Sequence, residues 1–109
     1  MSSELPNVIA SYVEAYNSRD EKAALASFSE NALVHDEGKD HHGRKAIGAW
    51  LRDTIEKYQP QLIPGEVKWG DAGTVVMMTV SGYFPGSPVT LAFNFTIEKN
   101  RISGLSVVA

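Results

Sequence analysis

Asp36 is the first side chain of this sequence whose type and position could do acid–base chemistry. It closes the short apolar stretch Asn31 to Asp36, and an aspartate at the end of such a stretch is commonly a solvated turn residue. In an apolar pocket, desolvation would instead raise the pKa of the carboxyl group, which could then exchange protons with a carbon acid. The residues alone leave both interpretations open.

Tyr12 and Asn94 are polar side chains among apolar neighbours. Tyr12 falls on the apolar side of a helical pattern, where a core aromatic residue whose hydroxyl finds a buried partner is the simpler interpretation. Asn94 lies in the middle of a strand-like segment, where a buried amide costs free energy unless it is hydrogen-bonded. A pocket on that side of the strand would explain the asparagine.

Histidines and carboxylates cluster in one polar stretch of the chain and could suggest a metal site. Their spacing matches no familiar ligand motif, so we expect a solvated loop, no metal and no cofactor. The sequence also has no glycine-rich phosphate loop, serine nucleophile elbow or dinucleotide fingerprint. The members of the cluster are His35, Asp36, Glu37, Asp40, His41 and His42.

The composition is typical of one soluble globular domain. The chain has 109 residues, of which 43% are hydrophobic and 21% charged, so we expect a single domain over residues 1–109. The formal net charge is -3 and no basic block could neutralise a run of phosphates, which argues against a nucleic-acid partner. Cysteine is absent, so disulfide and thiolate chemistry are excluded.

The start of the chain and its hydropathy indicate the compartment. The segment MSSELPN has neither the basic nor the apolar region of a secretory signal. No apolar run approaches the roughly 18 to 20 residues that cross a bilayer. We therefore expect a cytoplasmic protein without a membrane partner.

Apolar residues spaced by three and four predict three helices in the first half of the chain. The first helix covers Leu5 to Tyr16 and the third covers Arg44 to Tyr58, with Pro60 stopping the pattern. Asp20 is placed to cap a short second helix, which is predicted to carry Ala23, Ala24, Leu25 and Phe28. Between the helices, residues 31–36 are predicted to form a short strand and residues 38–43 a loop.

β-Branched and aromatic runs after Pro64 predict four antiparallel strands. The links over residues 70–73, 85–88 and 99–101 have hairpin length, so consecutive strands should pair as a meander. Helices followed by strands indicate an α+β fold. The predicted strands are Glu66–Trp69, Thr74–Phe84, Val89–Glu98 and Ile102–Val108.

The strand faces predict a homodimer. In the segment 89–98 the odd-numbered positions, including Leu91, Phe93 and Phe95, are large and apolar, whereas the segment 74–84 is apolar on both faces. Three helices can cover only one side of such a sheet, so the other side should meet a second copy of the chain. We expect the odd-numbered face to form that interface.

The element order and four segments of the chain resemble the NTF2-like superfamily of cone-shaped domains, and within it SnoaL-like polyketide cyclases and ketosteroid isomerases. The segments are YVEAYNSRD at 12–20, FSENALVHD at 28–36, GRKAIGAWL at 43–51 and the stretch 79–96, which together span nearly the whole chain. The resemblance implies a cone-shaped half-barrel in which three N-terminal helices pack on a curved, mixed or antiparallel sheet. It also implies a pocket for a small apolar molecule.

The resemblance to ketosteroid isomerases assigns roles to three residues. Asp36 matches their proton-shuttling aspartate, Tyr12 matches their oxyanion-binding tyrosine, and Asn94 replaces their second donor, a protonated aspartate. The amide of Asn94 could donate a hydrogen bond without a pKa shift. We expect a cofactor-free isomerase or cyclase that removes a proton next to a carbonyl. The alternative is a non-catalytic binding or dimerisation module. A hydrolase would require a second carboxylate near that of Asp36.

Five further residues are expected to line the pocket: Trp50, Met78, Val80, Gly82 and Gly104. Glycine inside a strand marks a bend, a bulge or the close approach of a ligand. Trp50 could equally be a core residue. An apolar lining predicts neutral ring systems with one carbonyl, such as phenols and cyclic enones, rather than phosphorylated or strongly charged ligands.

Overall fold

The computed structural model describes residues 5–70 and 73–108, and in these ranges three helices pack on a six-stranded sheet. This architecture confirms the predicted α+β half-barrel, because the sheet is mixed and is not closed. The elements are α1 (Asn7–Asn17), α2 (Glu21–Ala26), β1 (Phe28–Asp36), β2 (Lys39–His42), α3 (Gly43–Tyr58), β3 (Gln61–Trp69), β4 (Thr74–Ser81), β5 (Val89–Glu98) and β6 (Arg101–Val108).

Helices α1 and α2 form the predicted helical hairpin. The Asp20 side chain caps α2 by accepting a hydrogen bond from the Ala23 backbone N–H at 3.1 Å. Phe28 was predicted on α2 but is the first residue of β1, where it is fully buried. The stripe of α1 that faces the core consists of Ile9, Tyr12, Val13, Ala15 and Tyr16.

Helix α3 ends where the sequence predicts. Gln59 adopts a left-handed conformation with φ 45, and the following Pro60 disfavours a further helical turn. The helix buries Ile47, Leu51 and Ile55 at spacings of four residues, which places the neighbouring Trp50 near the edge of this buried stripe.

The sheet runs in the order β2-β1-β6-β5-β4-β3. Strands β3 to β6 form the predicted antiparallel meander, although the link over residues 70–73 lies partly outside the described residues. Strand β1 pairs in parallel with β6, so the first strand of the chain lies between β6 and the edge strand β2. Residues 39–42, predicted as loop, instead form β2 and pair with β1. The two strands are joined by Glu37 and Gly38, both with positive φ, as a two-residue hairpin requires.

Strand β3 begins at Gln61, five residues earlier than predicted, because α1 supports its start. The Asn17 side chain donates to the Leu62 carbonyl and accepts from the Leu62 N–H, both at 2.8 Å. A register shift between Pro64 and Val67 accommodates Pro64 and Gly65 within the strand.

The odd-numbered face of β5 faces the helices and not a partner. Phe93 and Phe95 are only 5% and 1% exposed, and they share this face with Val76, which pairs with Phe93. The predicted dimer interface through Leu91, Phe93 and Phe95 is therefore wrong. The strongly apolar face packs against the chain's own helices, and the face bearing Thr, Ala and Asn is left outside. A homodimer stays a prediction, to be checked by light scattering.

Among the described residues, no helix combines the length and apolar character needed to cross a membrane.

Candidate active site

A cavity of about 430 Å³ lies between the inner face of the sheet and helices α1 and α3. Most of its lining is aliphatic or aromatic, and the lining residues that carry polar side-chain groups are Asp36, Glu37, Thr54, Trp50 and three tyrosines. A mostly apolar pocket of this size with a few polar groups is the usual form of a small-molecule site.

Asp36 is positioned at this cavity by the end of β1. Its carboxylate oxygen Oδ2 accepts a hydrogen bond from the Trp50 Nε1–H at 3.0 Å. Burial raises the pKa of Asp36, while the bond from Trp50 and the neighbouring His41 act in the opposite direction. A half-buried carboxylate of raised pKa is a better proton acceptor than one in water.

Trp50 therefore does more than form a wall of the cavity, the role predicted for it. Its indole is carried by α3 and holds one oxygen of Asp36 in place. The His41 ring stacks on the indole with centroids 5.9 Å apart and an interplanar angle of 29°. Strand β2, which was not predicted, therefore contacts through His41 the indole that orients the carboxylate.

Tyr12 lines the same cavity from α1 and is completely buried. Its ring packs edge-on against Phe28 and Phe95, with centroids 5.4 and 6.2 Å away. Its hydroxyl has no hydrogen-bond partner among the described residues. Burial raises the pKa of Tyr12, and the charges of Tyr16 and Asp36 raise it further. A buried, unpartnered hydroxyl is costly and marks a place where a ligand's polar atom could bind.

Tyr16 is a cavity residue that was not predicted from the sequence. It lies one helical turn after Tyr12, lines the cavity, and is 4% exposed. The rings of the two tyrosines lie 5.9 Å apart. Burial raises the pKa of Tyr16, Arg19 lowers it, and Asp36 raises it. The i, i+4 spacing of the two tyrosines was the available signal, because it puts them on one helix face.

Asn94 does not join Tyr12 and Asp36. It lies on the outer face of the sheet, in an open depression with Thr96 and Gly104, and its Nδ2 donates to the Ser106 carbonyl at 3.3 Å. The predicted convergence of all three residues on one cavity is wrong for Asn94. Side chains alternate along a strand, so the inward Phe93 and Phe95 force Asn94 outward.

The expected lining residues divide between three locations. Val80 lines the cavity as predicted, whereas Met78 shares its face but is fully buried in the core. Gly104 is on the outer face beside Asn94. Gly82 permits a close contact between backbones: a Cβ there would lie 2.6 Å from the Tyr58 carbonyl oxygen. For Met78, Gly82 and Gly104 the predicted position on the pocket wall is therefore wrong.

The histidine cluster is divided by the β1–β2 hairpin. His35 Nδ1 lies 2.6 Å from Asp40 Oδ1 on the exposed side, while His41 stacks on Trp50. Within residues 5–70 and 73–108, no group of three or more histidine, cysteine, aspartate or glutamate side chains is arranged to hold a metal ion.

The comparisons with known proteins identify the family. Residues 9–104 match the SnoaL-like domain. A candidate polyketide cyclase from Sinorhizobium meliloti has a similar structure, with 36% identity, a TM-score of 0.91 and 94% of each chain covered. No curated protein matches at a significant level.

Two more distant structures share the fold. SalBIII, an epoxide hydrolase/cyclase-like enzyme of pyran ring formation in the polyether salinomycin, is 21% identical with a TM-score of 0.82 over 94% of this chain and 87% of that one. A Mycobacterium tuberculosis protein in complex with estradiol-17beta-hemisuccinate is 15% identical with a TM-score of 0.78 over 92% of this chain and 88% of that one. The family match and the first structure show that the chain belongs to the SnoaL-like family of NTF2-like domains.

Proposed function

We propose that this protein is a cofactor-independent isomerase or cyclase that removes a proton next to a carbonyl of a small apolar substrate. The observation that carries the proposal is the pairing of Asp36 with Tyr12 in one cavity: a half-buried carboxylate of raised pKa and a buried hydroxyl without a partner. Asp36 is the base that takes the proton from the carbon.

Tyr12 stabilises the charge that proton removal creates on the substrate oxygen. Hydrogen-bond donors placed at the developing oxyanion are usually the largest single contribution to such reactions. The pKa values of Tyr12 and Tyr16 are both raised, so both hydroxyls remain protonated and able to donate at neutral pH. Tyr16 takes the place of Asn94 as the second donor, because it lines the cavity and Asn94 does not.

The lining supports a neutral, largely apolar ring system as the substrate. Leu62, Val80 and Leu91 from the sheet and Phe84 from the following loop contribute apolar surface to the cavity. The steroid ring system of the ligand bound by the M. tuberculosis protein and the ring formation named for SalBIII are consistent with an apolar ring system in the cavity. Because the chain is similar to a candidate polyketide cyclase, we propose ring closure as well as double-bond isomerisation as the reaction.

Hydrogen–deuterium exchange tests this function without knowledge of the natural substrate. Cyclic enones and aryl ketones are incubated with the protein in D2O, and proton NMR follows the loss of signal at carbons next to the carbonyl. We expect exchange faster than in buffer for the compounds that bind. If compounds bind in the cavity and none exchanges faster than in buffer, the protein is a binding module and not an enzyme of this class.

A further inference from the structure

The charged side chains that line the cavity are all negative. Asp36 and Glu37 are carboxylates, and no lysine, arginine or histidine lines the cavity among the described residues. Within those residues Asp36 makes no ion pair, and its side-chain partner is the neutral indole of Trp50. His41, whose ring stacks on that indole, is not among the residues that line the cavity. The cavity therefore holds a desolvated negative charge without a counter-ion inside it.

Aromatic rings surround this charge. Tyr16, Trp50, Tyr58, Phe84 and Phe93 line the cavity together with Asp36. The face of an aromatic ring attracts an organic cation by about 0.5 to 2 kcal/mol, more when water is excluded. Carboxylate and rings thus favour the same kind of ligand group, a positive charge carried on an apolar body.

The unpartnered hydroxyl of Tyr12 adds a third feature. A hydroxyl oxygen accepts hydrogen bonds as well as donating them, so the N–H of a protonated amine can satisfy the fully buried Tyr12 Oη. Neither a hydrocarbon nor a quaternary ammonium ion supplies that N–H.

We propose that the cavity is also a binding site for protonated lipophilic amines, whose ammonium group lies between Asp36, Tyr12 and the aromatic rings. Such a ligand occupies the position of the carbonyl group and competes with it. The proposal rests on the charge and lining of the cavity and not on the proposed reaction, so either can fail alone.

Three ligands of nearly equal shape isolate the effect of charge. N,N-Dimethylbenzylamine is a cation at neutral pH, isobutylbenzene is its uncharged isostere, and phenylacetate is an anion on the same benzyl group. Calorimetry or ligand-observed NMR on the wild-type protein should show the amine binding about tenfold more tightly than isobutylbenzene, since about 1.4 kcal/mol corresponds to a factor of ten. Phenylacetate should bind most weakly. Equal affinity of the amine and isobutylbenzene, or no detectable amine binding, overturns the proposal.

Two further measurements locate the counter-charge. In Asp36→Asn the preference for the amine over isobutylbenzene should fall to the smaller part that the aromatic rings and Glu37 supply. In the matched variant Asp40→Asn it should keep its wild-type value, because Asp40 is exposed and pairs with His35 on the outside. On the wild-type protein, amine affinity should fall as the pH is lowered through the pKa of Asp36, while affinity for isobutylbenzene stays constant. Glu37, His41 and the two tyrosines also face Asp36, so a pH effect that survives in Asp36→Asn contradicts the assignment. Enone exchange is scored separately and tests only the reaction.

Discussion

Replacing Tyr12 by phenylalanine should stabilise the fold and impair the reaction. The hydroxyl is fully buried and has no partner among the described residues, and a buried polar group left unsatisfied costs about 1–3 kcal/mol. The ring contacts with Phe28 and Phe95 survive the change. Tyr12→Phe should therefore raise the free energy of unfolding by about 1 kcal/mol, or the Tm by roughly 4 °C for a domain of this size. Loss of one oxyanion donor should slow turnover by about 10²- to 10³-fold.

The assay combines urea unfolding, thermal melting and the exchange rate of a bound enone on the same preparations. Tyr83→Phe is the matched control, because Tyr83 is 75% exposed and losing its hydroxyl should change neither quantity. A loss of stability in Tyr12→Phe would show that the hydroxyl is already satisfied in the ligand-free protein. A normal rate in a stabilised variant would show that it donates nothing to the transition state. Either result refutes the reasoning for Tyr12.

Three further predictions concern Asp36 and Asn94. Burial raises the pKa of Asp36 above its ordinary value of 3.8, so the folded state binds this proton more tightly than the unfolded chain does. The stability that Asp36 contributes is therefore full below pH 3.8 and declines as the pH rises through the folded pKa. Urea unfolding at several pH values should show this decline in the wild-type protein and not in Asp36→Asn. Trp50→Phe removes a hydrogen bond that favours the charged carboxylate, so the pKa of Asp36 should rise and the acidic limb of the rate–pH profile should move to higher pH; an unmoved limb would count against positioning by Trp50. Asn94→Ala should leave the exchange rate unchanged, because the side chain bonds to Ser106 outside the cavity, and a large loss of rate would restore Asn94 to the site.

The helices and the meander could be predicted because local patterns determine them. Apolar residues at spacings of three and four marked α1 and α3, Asp20 marked the start of α2, and β-branched and aromatic runs marked β4 to β6. Strand β2 could not be predicted in this way: KDHH has no apolar alternation, and its pairing depends on the positive φ of Glu37, a residue that rarely occupies such turns.

The candidate site was predicted in part, and the errors at Asn94, at Gly104 and at the dimer interface share one physical cause. Tyr12, Asp36, Trp50 and Val80 line the cavity, and their roles remain predictions. Asn94 was expected inside because a polar residue in a strand is costly when buried, but alternation fixes only that Asn94 opposes Phe93 and Phe95. Tertiary packing decides which face of the strand the helices cover, and here they cover the face with the larger apolar side chains. The same inversion misplaced Gly104 and the dimer interface.

The most direct test of the central claim compares hydrogen–deuterium exchange of one bound enone in the wild-type protein, Asp36→Asn and Asp40→Asn. The two variants make the same chemical change four residues apart, one inside the cavity and one on the exposed β1–β2 hairpin. If Asp36 is the base, exchange falls to the buffer rate in Asp36→Asn while ligand binding is retained, and Asp40→Asn exchanges at the wild-type rate, because an amide cannot accept the proton at neutral pH. Full exchange by Asp36→Asn would contradict proton abstraction by this residue and leave the cavity as a binding site.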